Sequence, residues 1–104
     1  MAKTRLVGHD VTLTRRRVKL RPGENTGWHT HPGPLFVTVL QGTLTHYDRG
    51  QEPTVYRPGD TFVEARGGEA VHLGANHGAE LLVLDVIYVI PAGQPLRLAA
   101  TGPS

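Results

Sequence analysis

Cysteine is absent from this chain of 104 residues. Without thiols the protein can form no disulfides, and it has no thiolate metal ligand and no cysteine nucleophile. Any metal ion that it binds must therefore be held by nitrogen or oxygen atoms.

Long hydrophobic runs are also absent. No window approaches the roughly 18 apolar residues of a membrane-spanning helix, and Met1 to Arg5 is not followed by the apolar stretch of a signal peptide. We therefore expect a soluble, cytoplasmic protein. Eleven Lys and Arg against nine Asp and Glu give a formal charge of +2, too small a bias to indicate nucleic acid. The expected partner is a small molecule, with no role for nucleic acid or membrane.

Glycine and proline divide the chain into short segments. The 13 Gly and 8 Pro are spread along it, and no segment between them has the long apolar period of a helix. Short segments between turns predict an all-β fold, a sandwich or small barrel, in a single domain over residues 1–104. The predicted strands are Val11 to Leu20, Leu35 to Leu40, Thr43 to Tyr47, Thr54 to Arg57, Thr61 to Glu64, Ala70 to Leu73 and Leu81 to Ile90.

The two ends of the chain are predicted to differ from its centre. Residues 1–10 are predicted to form an arm that pairs with a sheet edge, in this chain or in a second copy. Residues 93–104, with two prolines and two glycines, are predicted to be an irregular tail. Because a sandwich of this size leaves edge strands that need covering, we expect a homodimer formed by packing sheet edges or by exchanging the arm.

Three groups of residues carry predictions about burial. Leu81 to Ile90 is rich in Leu, Val and Ile, which predicts a strand buried on both faces. The side chains of Arg15 to Arg17 alternate in direction along a strand, so this run predicts a charge-protected edge strand and not one anion-binding patch. Trp28 and Phe36 are predicted to line the barrel as part of its core.

The placement of the histidines suggests a metal site. His29 and His31 are two residues apart in an extended segment, so both side chains leave the same face. His72 lies on a later predicted strand and can face this pair across a barrel. Neutral imidazole binds Zn, Fe, Ni, Cu and Mn, and three imidazoles leave positions open for water and substrate. For His46 the strand parity, which decides whether it shares a face with Leu44, is open. No site role is predicted for the remaining histidines, His9 and His77.

The spacing of these residues resembles the two sequence motifs of the cupin family. The first motif, G-x5-H-x-H-x(3,4)-E-x6-G, is matched by Gly23, His29, His31 and Gly42. The second motif, which ends in H-x3-N, is matched by the Pro58 to Asp60 turn, His72 and Asn76. Cupins are small jelly-roll β-barrels, commonly dimeric, that bind a divalent metal through two His, one Glu and a third His. The resemblance implies a jelly roll in which His29, His31 and His72 are the metal ligands.

The chain departs from the first motif at Leu35, which stands where the family carries its glutamate. Three alternatives follow: three His plus water hold the metal, another side chain supplies the oxygen, or the metal is lost and a dry or substrate-only pocket remains. Glu64 is the best substitute in the sequence, as a fourth ligand or as the catalytic proton-transfer group. Its alternatives are to orient an imidazole N–H or to pair with an arginine at the rim. The segment from Ala65 to Glu69 is longer than the usual turn of the family and is predicted to reshape the mouth.

The resemblance leaves the reaction open, because cupins include dioxygenases, isomerases, decarboxylases and storage proteins. Our first hypothesis is a metal-binding cupin that acts on a small organic molecule in the barrel. Its metal would polarise a carbonyl or enolate oxygen, or bind O₂ at an open position. Without the usual Glu ligand, a three-His dioxygenase-like enzyme is the first guess, with an isomerase-like enzyme beside it. The alternatives are a non-catalytic ligand-binding or sensor barrel and a structural dimerisation unit.

Overall fold

A computed structural model describes residues 2–6, 9–64 and 70–100, with side chains from residue 10 onward. All ten regular elements in these residues are β-strands. No helix in this part of the chain is long and apolar enough to cross a membrane. The strands are β1 Ala2–Leu6, β2 His9–Leu20, β3 His29–Thr30, β4 Leu35–Gln41, β5 Leu44–Asp48, β6 Thr54–Tyr56, β7 Thr61–Glu64, β8 His72–Ala75, β9 Leu82–Pro91 and β10 Leu98–Ala99.

The strands form two antiparallel sheets of five strands each. The first sheet has the order β1-β2-β9-β4-β7 and the second the order β10-β3-β8-β5-β6. The all-β prediction is confirmed. Most predicted strands agree with the structure within two residues at either end, and β8 begins two residues after its predicted start.

The hydrophobic core lies between the sheets and is built by alternation along β4 and β9. In β9, every second residue from Leu82 to Ile90 is buried, while Ile87 is 38% exposed. The prediction that this strand is buried on both faces is wrong, because its remaining aliphatic residues lie on the outer face of the first sheet. Ten buried apolar residues form one cluster, which consists of Leu20, Leu35, Val37, Val39, Leu44, Leu82, Leu84, Val86, Tyr88 and Ile90.

The outer face of the first sheet carries an apolar row. Phe36 pairs with Val63 on one side and with Ile87 on the other, and all three side chains are exposed. The prediction that Phe36 lines the barrel is therefore wrong, because the parity of β4 turns it outward. Trp28 is half-buried and lies outside the core cluster.

The arginine run lies on β2, between β1 and β9 in the strand order. β1 pairs only with His9 to Leu13, so in the described residues the three exposed arginines have a paired strand on the β9 side alone. This part of β2 is an edge, as predicted. Arg15 points to the outer face, where its guanidinium donates to both carboxylate oxygens of Asp85 at 2.9 and 3.0 Å. Arg16 points to the other face, as the predicted alternation requires.

Both ends of the chain contain a strand. The predicted arm contains β1, which pairs with β2 of the same chain, one of the two alternatives expected. The predicted irregular tail contains β10, which pairs with β3 from Leu98↔Thr30 to Ala99↔His29. Residues 65–69 and 101–104 lie outside the described part of the chain, so the prediction for the loop from Ala65 to Glu69 stays a prediction. The homodimer also stays a prediction.

Two glycines allow close backbone approaches that shape the barrel. Gly42 has a φ of 80°, a left-handed conformation that favours glycine, at the turn where the chain passes from β4 in the first sheet to β5 in the second. Gly33 follows β3, where an added Cβ would collide with the carbonyl oxygen of Val89 on β9. The segment that joins β3 to β4 therefore lies directly against the first sheet.

Candidate metal centre

Three histidines converge from two neighbouring strands of the second sheet. His29 lies on β3 with His31 just beyond it, and His72 on β8 is the cross-strand partner of His29. Their ring centroids are 4.5 to 5.0 Å apart, and all three side chains are buried. The structure thus brings together the three residues that the motif spacing singled out.

Backbone carbonyls fix the orientation of two of these rings. The Nδ1–H of His29 donates to the carbonyl oxygen of Gly27 at 2.7 Å, and that of His31 donates to Leu96 at 2.8 Å. Because the proton of a neutral imidazole then sits on Nδ1, the lone pair lies on Nε2. Hydrogen bonds of this kind orient metal-binding histidines in proteins.

Glu64 brings a carboxylate to the same point. It ends β7 and pairs across the sheet with Leu35, so its side chain enters the cavity beside the position where the cupin motif carries its glutamate. Its Oε2 lies 3.1 Å from Nε2 of His31 and 2.8 Å from Nε2 of His72. The contacts of Glu64 are with histidines, which goes against the alternative of an ion pair with an arginine at the rim.

Three of the four donor atoms of this cluster are buried and lack hydrogen-bond partners. One ligand atom from each of His29, His31, Glu64 and His72 lies within 4.8 Å of the others. Glu64 Oε2 and the Nε2 atoms of His31 and His72 make no hydrogen bond despite their short separations. Unpaired polar atoms in a protein interior are costly. A cation at their common centre would satisfy all of them, so these residues fit a transition metal.

Charge and burial act against each other at this cluster. Burial lowers the pKa of His29 to about 4, with smaller contributions from the other imidazoles and Arg97, so this ring is neutral at pH 7. Burial alone would raise the pKa of Glu64, but its contacts with His31, His46 and His72 hold it well below its usual range. The centre therefore combines neutral imidazole with a carboxylate, a donor set that suits a divalent transition metal.

His46 also reaches the centre, which the sequence left open. It lies on β5 on the same face as Leu44, is 5% exposed, and its ring centroid is 5.2 Å from that of His72. Its Nε2 is 3.6 Å from Glu64 Oε1 and its Nδ1 is 3.4 Å from Asp48 Oδ2. The sequence does not show which face of β5 is buried, and a register shift of one residue would have turned His46 outward.

The other motif residue, Asn76, has a structural role. Its amide donates to the carbonyl oxygens of Leu20 and Glu80, both at 2.9 Å, and its Oδ1 accepts from the N–H of Gly78. Asn76 is fully buried and ties the turn after β8 to the end of β2. His77 is exposed and bonds Tyr47, as expected of a residue with no site role, while the side chain of His9 lies outside the described part.

A cavity of about 190 Å³ between the sheets gives access to the centre. His29, His31 and Glu64 line it, together with mainly aliphatic side chains. Two arginines, Arg16 and Arg97, also line it, and neither was singled out from the sequence. A run of three arginines does not reveal which member points inward, and Arg97 lies in the segment that was predicted to be irregular.

Comparison with protein families assigns the fold. The sequence pattern described as the cupin domain matches residues 16–88, which is well over half of the chain. The protein belongs to the cupin family. The jelly-roll prediction is thereby confirmed, and the match spans β3 to β8 and includes every residue of the metal-site cluster. No match was found among curated proteins.

Solved structures agree with the family assignment. The cupin resembles a conserved protein with a double-stranded β-helix domain from Klebsiella pneumoniae, with a TM-score of 0.69 and 22% identity over 89% of this chain and 84% of that one. It resembles a cupin-like protein from Thermotoga maritima with a TM-score of 0.73 and 23% identity over 86% and 65%. An oxalate oxidase matches with a TM-score of 0.64 and 28% identity over 72% of this chain and 40% of that one. At their identities, the first two likenesses show the fold alone.

Proposed function

We propose that this cupin binds one divalent transition metal through His29, His31, His72 and Glu64 and is an enzyme acting on a small organic molecule. The observation that supports it best is the convergence of buried Nε2 and Oε2 atoms that have no hydrogen-bond partner. The oxalate oxidase with a similar fold adds support for oxidoreductase chemistry as a class.

The role proposed for each residue follows from its contacts. The carbonyl oxygens of Gly27 and Leu96 hold the rings of His29 and His31 with Nε2 facing the centre. These two side chains are therefore already oriented before a metal binds. Glu64 supplies the only carboxylate among the four proposed ligands and offsets part of the charge of the cation. A metal bound here would act as a Lewis acid and polarise a substrate oxygen.

The position of Glu64 removes the reason for preferring a dioxygenase-like enzyme. That preference depended on the absence of a carboxylate, and Glu64 on the neighbouring strand offers one. A donor set of three imidazoles and one carboxylate is compatible with both oxidoreductase and isomerase chemistry. We therefore propose a metal-dependent enzyme of one of these two classes.

Elemental analysis of the purified protein tests the proposal. We expect close to one equivalent of Fe, Mn, Ni, Cu or Zn, which His29→Ala and Glu64→Gln should abolish or strongly reduce. His77→Ala is the matched control, because this exposed histidine bonds Tyr47, is not among the clustered ligands and should leave the metal content unchanged. Gln has nearly the shape of Glu, so the second variant separates ligand loss from misfolding.

One outcome would overturn the proposal. If the wild-type protein stays metal-free after incubation with each of these ions, and its melting temperature does not move, the cluster is not a metal site. The non-catalytic ligand-binding barrel would then be the better description.

A further inference from the structure

Two arginines from different parts of the chain face the same cavity. Arg16 on β2 pairs across the first sheet with Val86, whose buried side chain also lines the cavity. Directly paired residues of antiparallel strands project to the same face, so Arg16 lies on the cavity side of the first sheet, where its exposed side chain lines the opening. Arg97 precedes β10 and reaches the cavity from the second sheet.

Neither of these arginines is neutralised within the described part of the chain. Arg15 shows the contrast, because its guanidinium is paired with both oxygens of Asp85 on the outer face. Arg97 donates one N–H to the carbonyl oxygen of Thr26 at 2.8 Å, which anchors the guanidinium and leaves other donors free. In the described residues Arg16 has no carboxylate contact.

The rest of the cavity restricts the size and character of a ligand. Six aliphatic side chains line it: Val18, Leu35, Val37, Leu44, Leu84 and Val86. A volume of about 190 Å³ corresponds to roughly six water molecules at about 30 Å³ each. Two planar cationic groups over a small apolar chamber complement a carboxylate attached to a short aliphatic body.

We propose that the substrate of this site is a small aliphatic carboxylate, whose carboxylate group is bound by Arg16 and Arg97. Its short apolar body lies against the aliphatic wall. The orientation of its other end toward the metal rests on the proposed function, but recognition by the two arginines does not. Binding of the carboxylate group can therefore be measured separately from metal binding.

A matched pair of ligands tests this assignment. Butanoate and butanamide have the same shape and differ in charge, so their affinities for the metal-loaded and metal-free protein can be compared by NMR titration. We expect butanoate to bind at least about tenfold more tightly than butanamide in both forms. Arg16→Met and Arg97→Met, which keep the aliphatic stem, should each weaken butanoate binding roughly tenfold and leave butanamide binding unchanged.

Control variants make each outcome decisive. Arg15→Met removes an arginine from the opposite face and should leave both affinities unchanged, while Arg16→Lys should restore only part of the preference because it keeps the charge and loses the planar fork. The proposal is overturned if butanoate and butanamide bind equally, if Arg16→Met matches Arg15→Met, or if inorganic phosphate binds as tightly as butanoate. A protein that binds no metal but still prefers butanoate would contradict the proposed function and support this inference.

Discussion

His29 and His46 are both buried beside Glu64, but their rings are held in opposite ways. The Nδ1 of His29 faces a backbone carbonyl at 2.7 Å, whereas the two nitrogens of His46 face the carboxylates of Asp48 and Glu64 at 3.4 and 3.6 Å. A carbonyl partner needs one N–H and leaves a lone pair on the other nitrogen. A carboxylate on each side favours a proton on both nitrogens.

The pKa values of the two rings move in opposite directions for this reason. Burial lowers the pKa of His29 to about 4. Burial also acts to lower the pKa of His46, but contacts with Glu64 and Asp48 outweigh it and raise the pKa. Since only neutral imidazole binds metal, the comparison favours a ligand role for His29 and a role for His46 in holding Glu64.

The largest expected effect separates these roles by metal affinity. Glu64→Gln should weaken metal binding by at least about 100-fold, because it removes a charged donor. His46→Asn should weaken it by less than about tenfold, as expected for a residue that only positions a ligand. Competition with a chromophoric chelator measures both values. Equal losses in the two variants would show that His46 is itself a ligand.

A second expected effect is on the pH dependence of stability in the metal-free protein. Because the folded-state pKa of His29 is about 4 and its usual value is 6.5, the unfolded chain binds the extra proton first as the pH falls. Acidification from pH 7 to 4 should therefore lower the free energy of unfolding by about 3 kcal/mol through this residue. Urea denaturation across this range measures it.

Variants at the two histidines should change the pH dependence of the free energy of unfolding in opposite directions. His29→Asn should flatten it, since the buried neutral ring is gone. Because the pKa of His46 is raised in the folded protein, its protonation stabilises the fold at pH values below the usual histidine pKa. This stabilisation is lost as the pH rises through the pKa of His46 in the folded protein. His46→Asn should therefore make the loss on acidification steeper. Slopes that move in the same direction in both variants would contradict the comparison.

The smallest expected effect concerns the outer carboxylate. The side chain of Asp48 is 42% exposed, so its attraction to His46 is screened by solvent. Asp48→Asn should lower the pKa of His46, as followed by NMR titration of the ring, and should cost less than about 1 kcal/mol of stability. An unchanged pKa would assign the whole upward shift to Glu64.

Local periodicity made part of the site predictable from the sequence. His29 and His31 lie on one face because the side-chain period of an extended chain is two, whatever packs against it. The turn after Leu40 was equally local, since Gly42 separates two predicted strands and its φ of 80° favours glycine in any context. The match of both to a known motif spacing then added His72 at long range.

The remaining features depend on register and on which face of a strand meets the core. Phe36 was predicted to face the wrong side and the direction of His46 was left open. Both depend on register, because a shift of one residue reverses the direction of every side chain of a strand. The sequence predicted that the side chain of Arg16 points opposite to those of its neighbours, but not that it is the one on the cavity side. Glu64 was a candidate because it lies on the strand that leads toward His72, and only the pairing of β4 with β7 explains why it reaches the centre.

The cross-strand pairing of Leu35 with Glu64 suggests how this chain departed from the motif of its family. Positions 35 and 64 face each other across two hydrogen-bonded strands, and both side chains enter the cavity. A lineage that gains an acid at 64 before losing the one at 35 keeps an oxygen donor at every step. The same exchange is open to protein engineers, who can choose which strand carries the negative charge and free the other position to reshape the chamber.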